Sequence, residues 1–307
     1  MTQGAYLSTS CLSEPFPQDT DRSISTFTWV YDMRLVRSGP LCFSLHLIGR
    51  RLALGLVPMF LSMGCSSVQI VDETFTSDSG LTAKVALVVP EQTNGSAPPG
   101  VLLFFTEDFG NNGYRKQARL HAEVAQAHGL LLVSMASPDA PGDEGCWWAP
   151  QVKDNAAYVD EFLQVRLIGD LGVDPNRVFT TGLSGGSDFA AAFHLHTGYR
   201  YSGGVVALCG GDIPRLNGGG CDPEKDPEPA PAPTGLSAAD LSRVRYDFAI
   251  TADDSLLPNS QAAAAFYTEL GFTRVRHRIV EGSGHCGFES GWEGLDVLEE
   301  GMNYVDP

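Results

Sequence analysis

Short apolar runs alternate with segments of helical spacing from about residue 82 onward, and this alternation constrains the fold more than any other feature. The runs are rich in β-branched and aromatic residues, as strands are, and lie at Ala83–Val89, Val101–Phe105, Leu130–Met135, Val178–Thr181, Gly204–Leu208, Tyr246–Thr251 and Val275–Val280. Apolar periodicity predicts helices at Gln117–Ala127, Ala156–Asp170, Asp188–His196, Ala238–Val244, Ser260–Leu270 and Trp292–Met302. Strands separated by helices predict an α/β fold, with a mostly parallel sheet and helices on both faces.

Two segments depart from this regular pattern. In the last apolar run, arginines alternate with Val275, His277 and Ile279, which predicts an edge strand with one polar face. The segment Asn217–Pro233 is rich in Gly, Pro and acidic residues. We interpret it as a long irregular loop that forms a functional rim.

The first 64 residues have the character of a leader. Four arginines in the segment 34–51 precede an uncharged apolar run, Leu52–Met63, which is shorter than the about 20 residues of a membrane-spanning helix. A basic region followed by a short apolar run is typical of a secretory signal. The run ends in Leu61–Ser67, which resembles the lipobox of bacterial lipoproteins and implies lipidation of Cys65. A non-lipidated signal and a buried N-terminal helix remain alternatives.

This interpretation divides the chain into three parts: a leader at 1–64, a tether at 65–81 and a folded domain at 82–307. We expect an exported protein, either a cell-envelope lipoprotein or an extracellular one. The lipid anchor would be its only contact with a membrane.

Charge and composition exclude several classes of function. Lys and Arg number 20 against 37 Asp and Glu, a net charge of −17. So acidic a chain repels phosphate backbones, and we expect no nucleic-acid partner. We find neither a metal-ligand constellation nor a dinucleotide-binding Gly pattern, so we expect no metal and no cofactor.

The segment Gly182–Gly186 has the G-x-S-x-G pattern, with Ser184 at its centre. A predicted strand precedes it and a predicted helix follows, which is the context of a nucleophile on a tight turn. The N-terminus of that helix presents N–H groups to a developing anion, so we expect the Gly185 N–H to contribute to an oxyanion hole. The alternative is an ordinary Gly turn.

The longer segment Val173–Gly186 resembles the nucleophile segment of the polyhydroxybutyrate-depolymerase-like and feruloyl-esterase-like α/β-hydrolases. The resemblance extends over about residues 82–300. It implies an α/β-hydrolase fold and a secreted esterase with a triad in the chain order Ser, acid, His.

The other two triad members are expected after later strands. The family places its acid on a turn before a short apolar pair and a proline, and Pro258 in that register implies Asp254. Asp253 is the alternative, and both carboxylates could instead cap the next helix. The base is predicted to be His285, because it is the one His in a loop at the carboxyl end of the sheet.

The oxyanion loop departs from the family. After the strand Val101–Phe105 the family carries His-Gly, whereas this chain has Thr106-Glu107-Asp108. A backbone N–H at Thr106 or Glu107 would supply the second donor. The hypothesis requires the Glu107 carboxylate to point out of the site, because an adjacent negative charge opposes an oxyanion.

Aromatic residues and cysteines complete the prediction. Trp147 and Trp148 are candidates for a substrate-binding subsite, with core packing as the alternative. The part after Cys65 holds Cys146, Cys209, Cys221 and Cys286, an even number in an oxidising compartment. Cys209 could pair with Cys221 and Cys146 with Cys286. Three connectivities are possible, and free thiols remain an alternative.

Two classes of function compete. The first is a serine esterase that acts through an acyl-enzyme on a small-molecule or polymeric ester, such as a polyester or an acylated polysaccharide. A peptidase or an acyltransferase is its near relative, because a triad does not specify the leaving group. The second class is a degenerate surface lipoprotein that keeps the fold as a binding module.

Overall fold

The computed structural model describes residues 69–89, 98–138, 145–147, 152–214 and 233–307. The leader 1–64, Cys65, Trp148, Cys221 and the loop predicted at Asn217–Pro233, except Pro233, lie outside these residues. The predictions made for them stay predictions. None of the helices in the described ranges has the length and apolar character needed to cross a membrane.

The elements alternate along the chain as the sequence predicts. The strands are β1 (Ile70–Thr76), β2 (Thr82–Val88), β3 (Gly100–Phe105), β4 (Leu130–Met135), β5 (Val178–Leu183), β6 (Gly203–Leu208), β7 (Val244–Thr251) and β8 (Val275–Val280). The helices are α1 (Tyr114–Ala127), α2 (Val152–Phe162), α3 (Gly185–His196), α4 (Ala238–Arg243), α5 (Leu257–Glu269) and α6 (Leu295–Val305). A 3₁₀ turn, Asn111–Gly113, precedes α1, and a π-helical segment, Leu163–Asp170, continues α2.

The strands form one eight-stranded sheet in the order β1-β2-β4-β3-β5-β6-β7-β8. The strands from β4 to β8 in this order are parallel, and β2 and β1 are antiparallel to their neighbours. This mostly parallel sheet has the α/β-hydrolase fold, which confirms the predicted fold class.

The strand β1 corrects the predicted tether at 65–81. It pairs with β2 from Ile70 to Thr76 at the edge of the sheet, and none of its residues is fully buried. Its sequence is mostly polar and lacks a buried apolar run. That is why apolar patterning did not indicate a strand here.

Helices cover both faces of the sheet, as predicted. On one face α2, α3 and α5 pack large apolar side chains, among them Phe162, Phe189 and Tyr267, against the strands. On the other face α1 and α6 pack smaller or aliphatic side chains, such as Ala122 and Met302. Burial on both faces explains why the central strands are apolar throughout.

The strand β8 lies at the opposite edge of the sheet, which confirms the prediction of an edge strand. Two of its arginines turn toward a carboxylate in the neighbouring strand: Arg276 Nε and Arg278 Nη2 each lie 2.6 Å from Asp247, which is 0% exposed. Both arginines also contact Glu300 of α6. A buried charge is stable only when it is paired, so this cluster ties β7, β8 and α6 together.

Candidate active site

The nucleophile candidate, Ser184, lies on the sharp turn between β5 and α3. Its backbone has a φ of 52° and a ψ of −124°, a strained conformation for a residue other than glycine. A Cβ at Gly186 would collide with the carbonyl oxygens of Phe105 and Thr106, and one at Gly182 with the backbone of Gly186. The turn therefore requires glycine on both sides of the serine, which explains the G-x-S-x-G pattern physically.

Ser184 reaches the other two predicted triad residues through one chain of hydrogen bonds. Ser184 Oγ lies 2.8 Å from His285 Nε2 and can donate to it. His285 Nδ1 lies 3.0 Å from both carboxylate oxygens of Asp254, so a proton on Nδ1 is shared between them. The Asp254 side chain is 0% exposed and that of His285 is 34% exposed. The carboxylate is thus sequestered, while the imidazole remains open to a ligand.

Backbone N–H groups hold Asp254 in this orientation. Leu256 N donates to Asp254 Oδ1 at 2.8 Å, and Cys286 N donates to Oδ2 at 3.3 Å. These bonds satisfy the carboxylate's remaining acceptor capacity, which a buried charge requires.

Asp253, the alternative acid, contacts a different part of the same loop. Its carboxylate accepts hydrogen bonds from Ser283 Oγ and Gly284 N, both at 2.7 Å. The bond from Ser283, and then that from Gly284, lowers the pKa of Asp253 below its usual value. Asp253 therefore braces the loop that carries His285, and Asp254 is the carboxylate placed against the imidazole.

A disulfide fixes the other side of this loop. Cys286, directly after His285, is bonded to Cys209, which directly follows β6. Both cysteines are buried, and Cys146 is disulfide-bonded as well. The two pairings named from the sequence are therefore wrong. The carboxyl ends of β6 and β8 lie at one edge of the sheet, separated only by β7, and this brings Cys209 and Cys286 together.

The predicted oxyanion residues adjoin the serine. Gly185 begins α3, and Thr106, which follows β3, is buried with its carbonyl group against Gly186. The Glu107 side chain folds over Gly110. Its Oε2 is buried and has no hydrogen-bond partner among the described residues.

Sequence reasoning singled out Glu107 and overlooked its neighbour Asp108. A Cβ at Gly185 would collide with the Asp108 carboxylate, which therefore lies against the residue after Ser184. Asp108 Oδ1 also lies 3.1 Å from Cys146 Sγ. An acidic group thus packs beside the helix N-terminus that would have to stabilise an oxyanion.

The two aromatic candidates have different outcomes. Trp147 is fully buried, stacked on Phe189 and edge-on to Phe105, with ring centroids 4.7 Å apart in both pairs. It is a core residue and presents no surface to a substrate, so the subsite prediction is not met there. Trp148 lies outside the described residues.

A different tryptophan, Trp292, stands beside the site. Its ring centroid is 6.3 Å from that of His285, and the residue is 42% exposed. The sequence pattern assigned Trp292 to a helix, but α6 begins at Leu295, so Trp292 lies in the preceding loop. Its position seven residues after His285, in a segment rich in Gly, was the signal that could have indicated a loop.

A pocket of 440 Å³ lies beyond the histidine loop, and carboxylates dominate its lining, among them Glu281, Glu289 and Glu300. A hydrogen bond with Glu281, and then the negative charge of Glu281, raise the pKa of Glu289. No group of His, Cys, Asp and Glu side chains within the described ranges is arranged to hold a metal ion.

Comparison with solved structures agrees with the fold. A ferulic acid esterase superposes with a TM-score of 0.55 at 16% identity, covering 78% of this chain and 98% of its own. A hyperthermophilic esterase from the archaeon Pyrobaculum calidifontis gives 0.56 at 16% identity, over 78% of this chain and 84% of its own. An acetyl xylan esterase from Aspergillus awamori gives 0.54 at 16% identity, over 77% and 100%.

Likeness at such low identity shows the fold only. No protein-family model matches this sequence, and no curated protein matches it either.

Proposed function

We propose that this protein is a serine hydrolase of carboxylic esters, with Ser184 as nucleophile, His285 as general base and acid, and Asp254 as the orienting carboxylate. The observation that carries the proposal is the hydrogen-bonded chain from Ser184 Oγ through the imidazole to a buried carboxylate. The names of the structural neighbours, all esterases, support the same class of reaction.

The reaction proceeds in two halves. In the first, Ser184 Oγ attacks the acyl carbon while its proton moves to His285 Nε2. The resulting imidazolium is stabilised by Asp254 and returns the proton to the alkoxide as the C–O bond breaks, which leaves an acyl-serine. In the second half, water gives a proton to Nε2 and attacks the acyl-serine. The carboxylic acid leaves, and Ser184 regains its proton.

Each half passes through an intermediate with a negatively charged oxygen. The donors proposed for it are the Gly185 N–H at the start of α3 and a backbone N–H of Thr106 or Glu107. A preorganised donor of this kind contributes about 3–4 kcal/mol to the rate. No metal or cofactor is needed in this scheme.

A fluorophosphonate probe tests the assignment, because it labels an activated serine whatever the substrate. We expect the wild-type protein to be labelled and to hydrolyse short acyl esters, and Ser184→Ala to do neither. Ser187→Ala, at a serine one helical turn away, is the matched control and should keep both properties. A wild-type protein that is neither labelled nor active would contradict the proposal.

We propose that the substrate is a small or polymeric ester, such as a polyester or an acylated polysaccharide. The names of two structural neighbours refer to ferulic acid and to acetyl xylan, which supports an acylated polysaccharide. A panel of polyhydroxybutyrate, acetylated xylan and feruloylated arabinan would rank them. Transfer to an added alcohol or amine would instead indicate an acyltransferase, and cleavage of an amide a peptidase.

We also propose that the protein is exported and anchored by a lipid on Cys65. The disulfide of Cys209 with Cys286 supports export, because such bonds persist in oxidising compartments. Cys65→Ala should release the protein from the membrane fraction. Unchanged partitioning of that variant would reject the anchor and leave a non-lipidated signal as the alternative.

The second candidate function is a non-catalytic binding module. The Asp108 carboxylate against Gly185 favours it, because negative charge at this position opposes an oxyanion. Failure of the probe to label the protein would favour this candidate over the esterase.

A further inference from the structure

We infer that Trp292 is a specificity-determining residue that binds the alcohol component of the ester and favours alcohols carrying a ring with an apolar face. The inference rests on the proposed esterase function and goes beyond it by naming a substrate feature. It begins from the position of the indole, edge-on to the His285 ring, with centroids 6.3 Å apart and an interplanar angle of 82°.

The indole is partly open to solvent. Trp292 is 42% exposed, whereas Trp147 is fully buried in the core. A large aromatic surface that stays exposed beside a polar site is a typical anchor for a ligand, because binding removes it from water.

The backbone next to Trp292 is held in place by two side chains of α1. The Glu293 carbonyl oxygen lies 3.2 Å from Nε2 of the buried His121, and the Glu293 carboxylate accepts from Lys116 Nζ at 3.1 Å. Trp292 itself lies within a turn in which Gly294 N donates to the Gly291 carbonyl at 3.0 Å. The backbone on both sides of the indole is thus held in place, and little backbone entropy is lost when a ligand binds.

The chemistry of the triad decides which half of the ester lies against Trp292. The leaving alkoxide takes its proton from His285 Nε2, so the alcohol must lie on the histidine side of the serine. The acyl group is bound at Ser184 and at the oxyanion donors on the other side. Trp292 contacts the imidazole, and so it lies on the alcohol side.

An indole recognises the flat, apolar face of a ring. Offset or edge-to-face packing of two aromatic rings contributes beyond simple area burial. A phenyl ring presents such a face, and so does the C–H face of a pyranose. The shared chemistry is a ring with an apolar face, joined to the ester oxygen through one methylene group, and the test distinguishes the two sources.

The test compares acetates that differ only in the alcohol: benzyl acetate, cyclohexylmethyl acetate, ethyl acetate and a methyl glucopyranoside acetylated at its primary hydroxyl. The variants are Trp292→Leu, which removes the ring, and Trp292→Phe, which keeps a smaller one. Val165→Ala, at an exposed apolar residue of the π-helical segment that continues α2, is the control outside the elements that carry the triad.

We expect Trp292→Leu to lower kcat/KM about fivefold to tenfold for the ring-bearing alcohol that is recognised and less than twofold for ethyl acetate. Trp292→Phe should restore about half of the loss on a logarithmic scale. Val165→Ala should leave the ratio of benzyl to ethyl acetate unchanged. Loss with benzyl acetate alone identifies an aryl alcohol, and loss with the glucoside alone identifies a pyranose.

The inference is overturned if Trp292→Leu lowers kcat/KM equally for all four acetates, because the residue then only positions His285. It is also overturned if none of the four changes. The rate of fluorophosphonate labelling, which involves no ring-bearing alcohol, should stay within twofold of wild type. If the wild-type protein neither takes the label nor hydrolyses any ester, the proposed function itself fails, which is a different result.

Discussion

The nucleophile turn and the oxyanion loop Thr106–Gly110 pack against each other in the proposed site, yet their construction differs. In the nucleophile turn, Gly182 and Gly186 are required by close backbone contacts, and the Ser184 carbonyl accepts hydrogen bonds from Ser187 N at 2.9 Å and Asp188 N at 3.1 Å. The oxyanion loop instead carries two acids and Phe109, which is 61% exposed. Close backbone contacts fix the nucleophile turn, whereas the oxyanion loop carries acidic side chains whose charge opposes the proposed reaction.

The contrast shows that the backbone geometry of a nucleophile turn can be kept while the charges in the neighbouring loop vary. Sterics at the turn tolerate almost no substitution, because each glycine lies against backbone atoms. The loop after β3 tolerates charge because backbone N–H groups are present whatever the side chains are. We therefore expect substitutions in the nucleophile turn to lower the catalytic rate, and removal of the negative charge against Gly185 to raise it.

The largest effect is expected at Asp254, the carboxylate placed against His285. Asp254→Asn should lower kcat by on the order of 10⁴, as loss of the orienting carboxylate does in a serine triad. Asp253→Asn is the matched control, since it changes a neighbouring carboxylate that braces the loop without touching the imidazole. We expect it to lower kcat less than about tenfold, as measured by steady-state hydrolysis of a short acyl ester. The reverse ranking would show that Asp253 orients His285.

The next-largest effect is expected at Asp108 in the oxyanion loop. An ionised carboxylate about 5 Å from an oxyanion opposes it by about 3 kcal/mol at an effective dielectric constant of about 20. Asp108→Asn should therefore raise kcat/KM for neutral esters by at least about tenfold. Asp188→Asn, which removes a carboxylate from the other end of the first turn of α3, should not raise it. An unchanged or lower rate in Asp108→Asn would mean that the oxyanion loop is as well suited to catalysis as the nucleophile turn.

The disulfide gives a third, smaller effect. Replacing Cys209 and Cys286 together by Ala releases the histidine loop, and we expect kcat to fall about tenfold. Loss of a native disulfide also lowers the free energy of unfolding by about 2–4 kcal/mol. Urea denaturation and ester hydrolysis on the same samples separate the two effects. Activity that remains at the wild-type level would show that Asp253 and Asp254 hold the loop without the disulfide.

The smallest expected effect concerns Glu107. Its side chain folds over Gly110, whereas the Asp108 carboxylate lies against Gly185. Glu107→Gln removes the charge with little change in size, and we expect turnover to change less than about twofold. A clear acceleration in a pH-stat assay would place the Glu107 charge at the oxyanion and would leave the distinction between the two acids without support.

Sequence patterns predicted the parts of the site that depend on local structure. Gly182–Gly186 indicated a strand-to-helix turn because small residues are needed within that segment itself. His285 was predicted as the base because it is the one histidine in a loop at the carboxyl end of the sheet. Asp254 was implied by the register of Pro258 in the family that the sequence resembles, and the structure places that carboxylate against His285.

The features that the sequence did not predict depend on contacts between distant segments. Cys209 and Cys286 are 77 residues apart, and only the order of the strands brings them together. Asp108 could not be distinguished from Glu107, because the direction of each side chain depends on how the loop packs on α3. Trp292 was assigned to a helix, since its neighbours repeat at a helical period and the glycines that end the loop weigh little in such a pattern. The strand β1 was missed because an edge strand needs few buried residues.

The bond between Cys209 and Cys286 has a consequence for the order of events during biosynthesis. Its second cysteine follows β8, so the bond can close only after almost the whole domain has been synthesised and both β6 and β8 are in the sheet. Because Cys286 is the neighbour of His285, oxidation adds a covalent anchor to the imidazole loop, beside the hydrogen bonds of Asp253 and Asp254. We expect the reduced chain to hold the loop of His285 by these hydrogen bonds alone, and oxidising surroundings to add the covalent link.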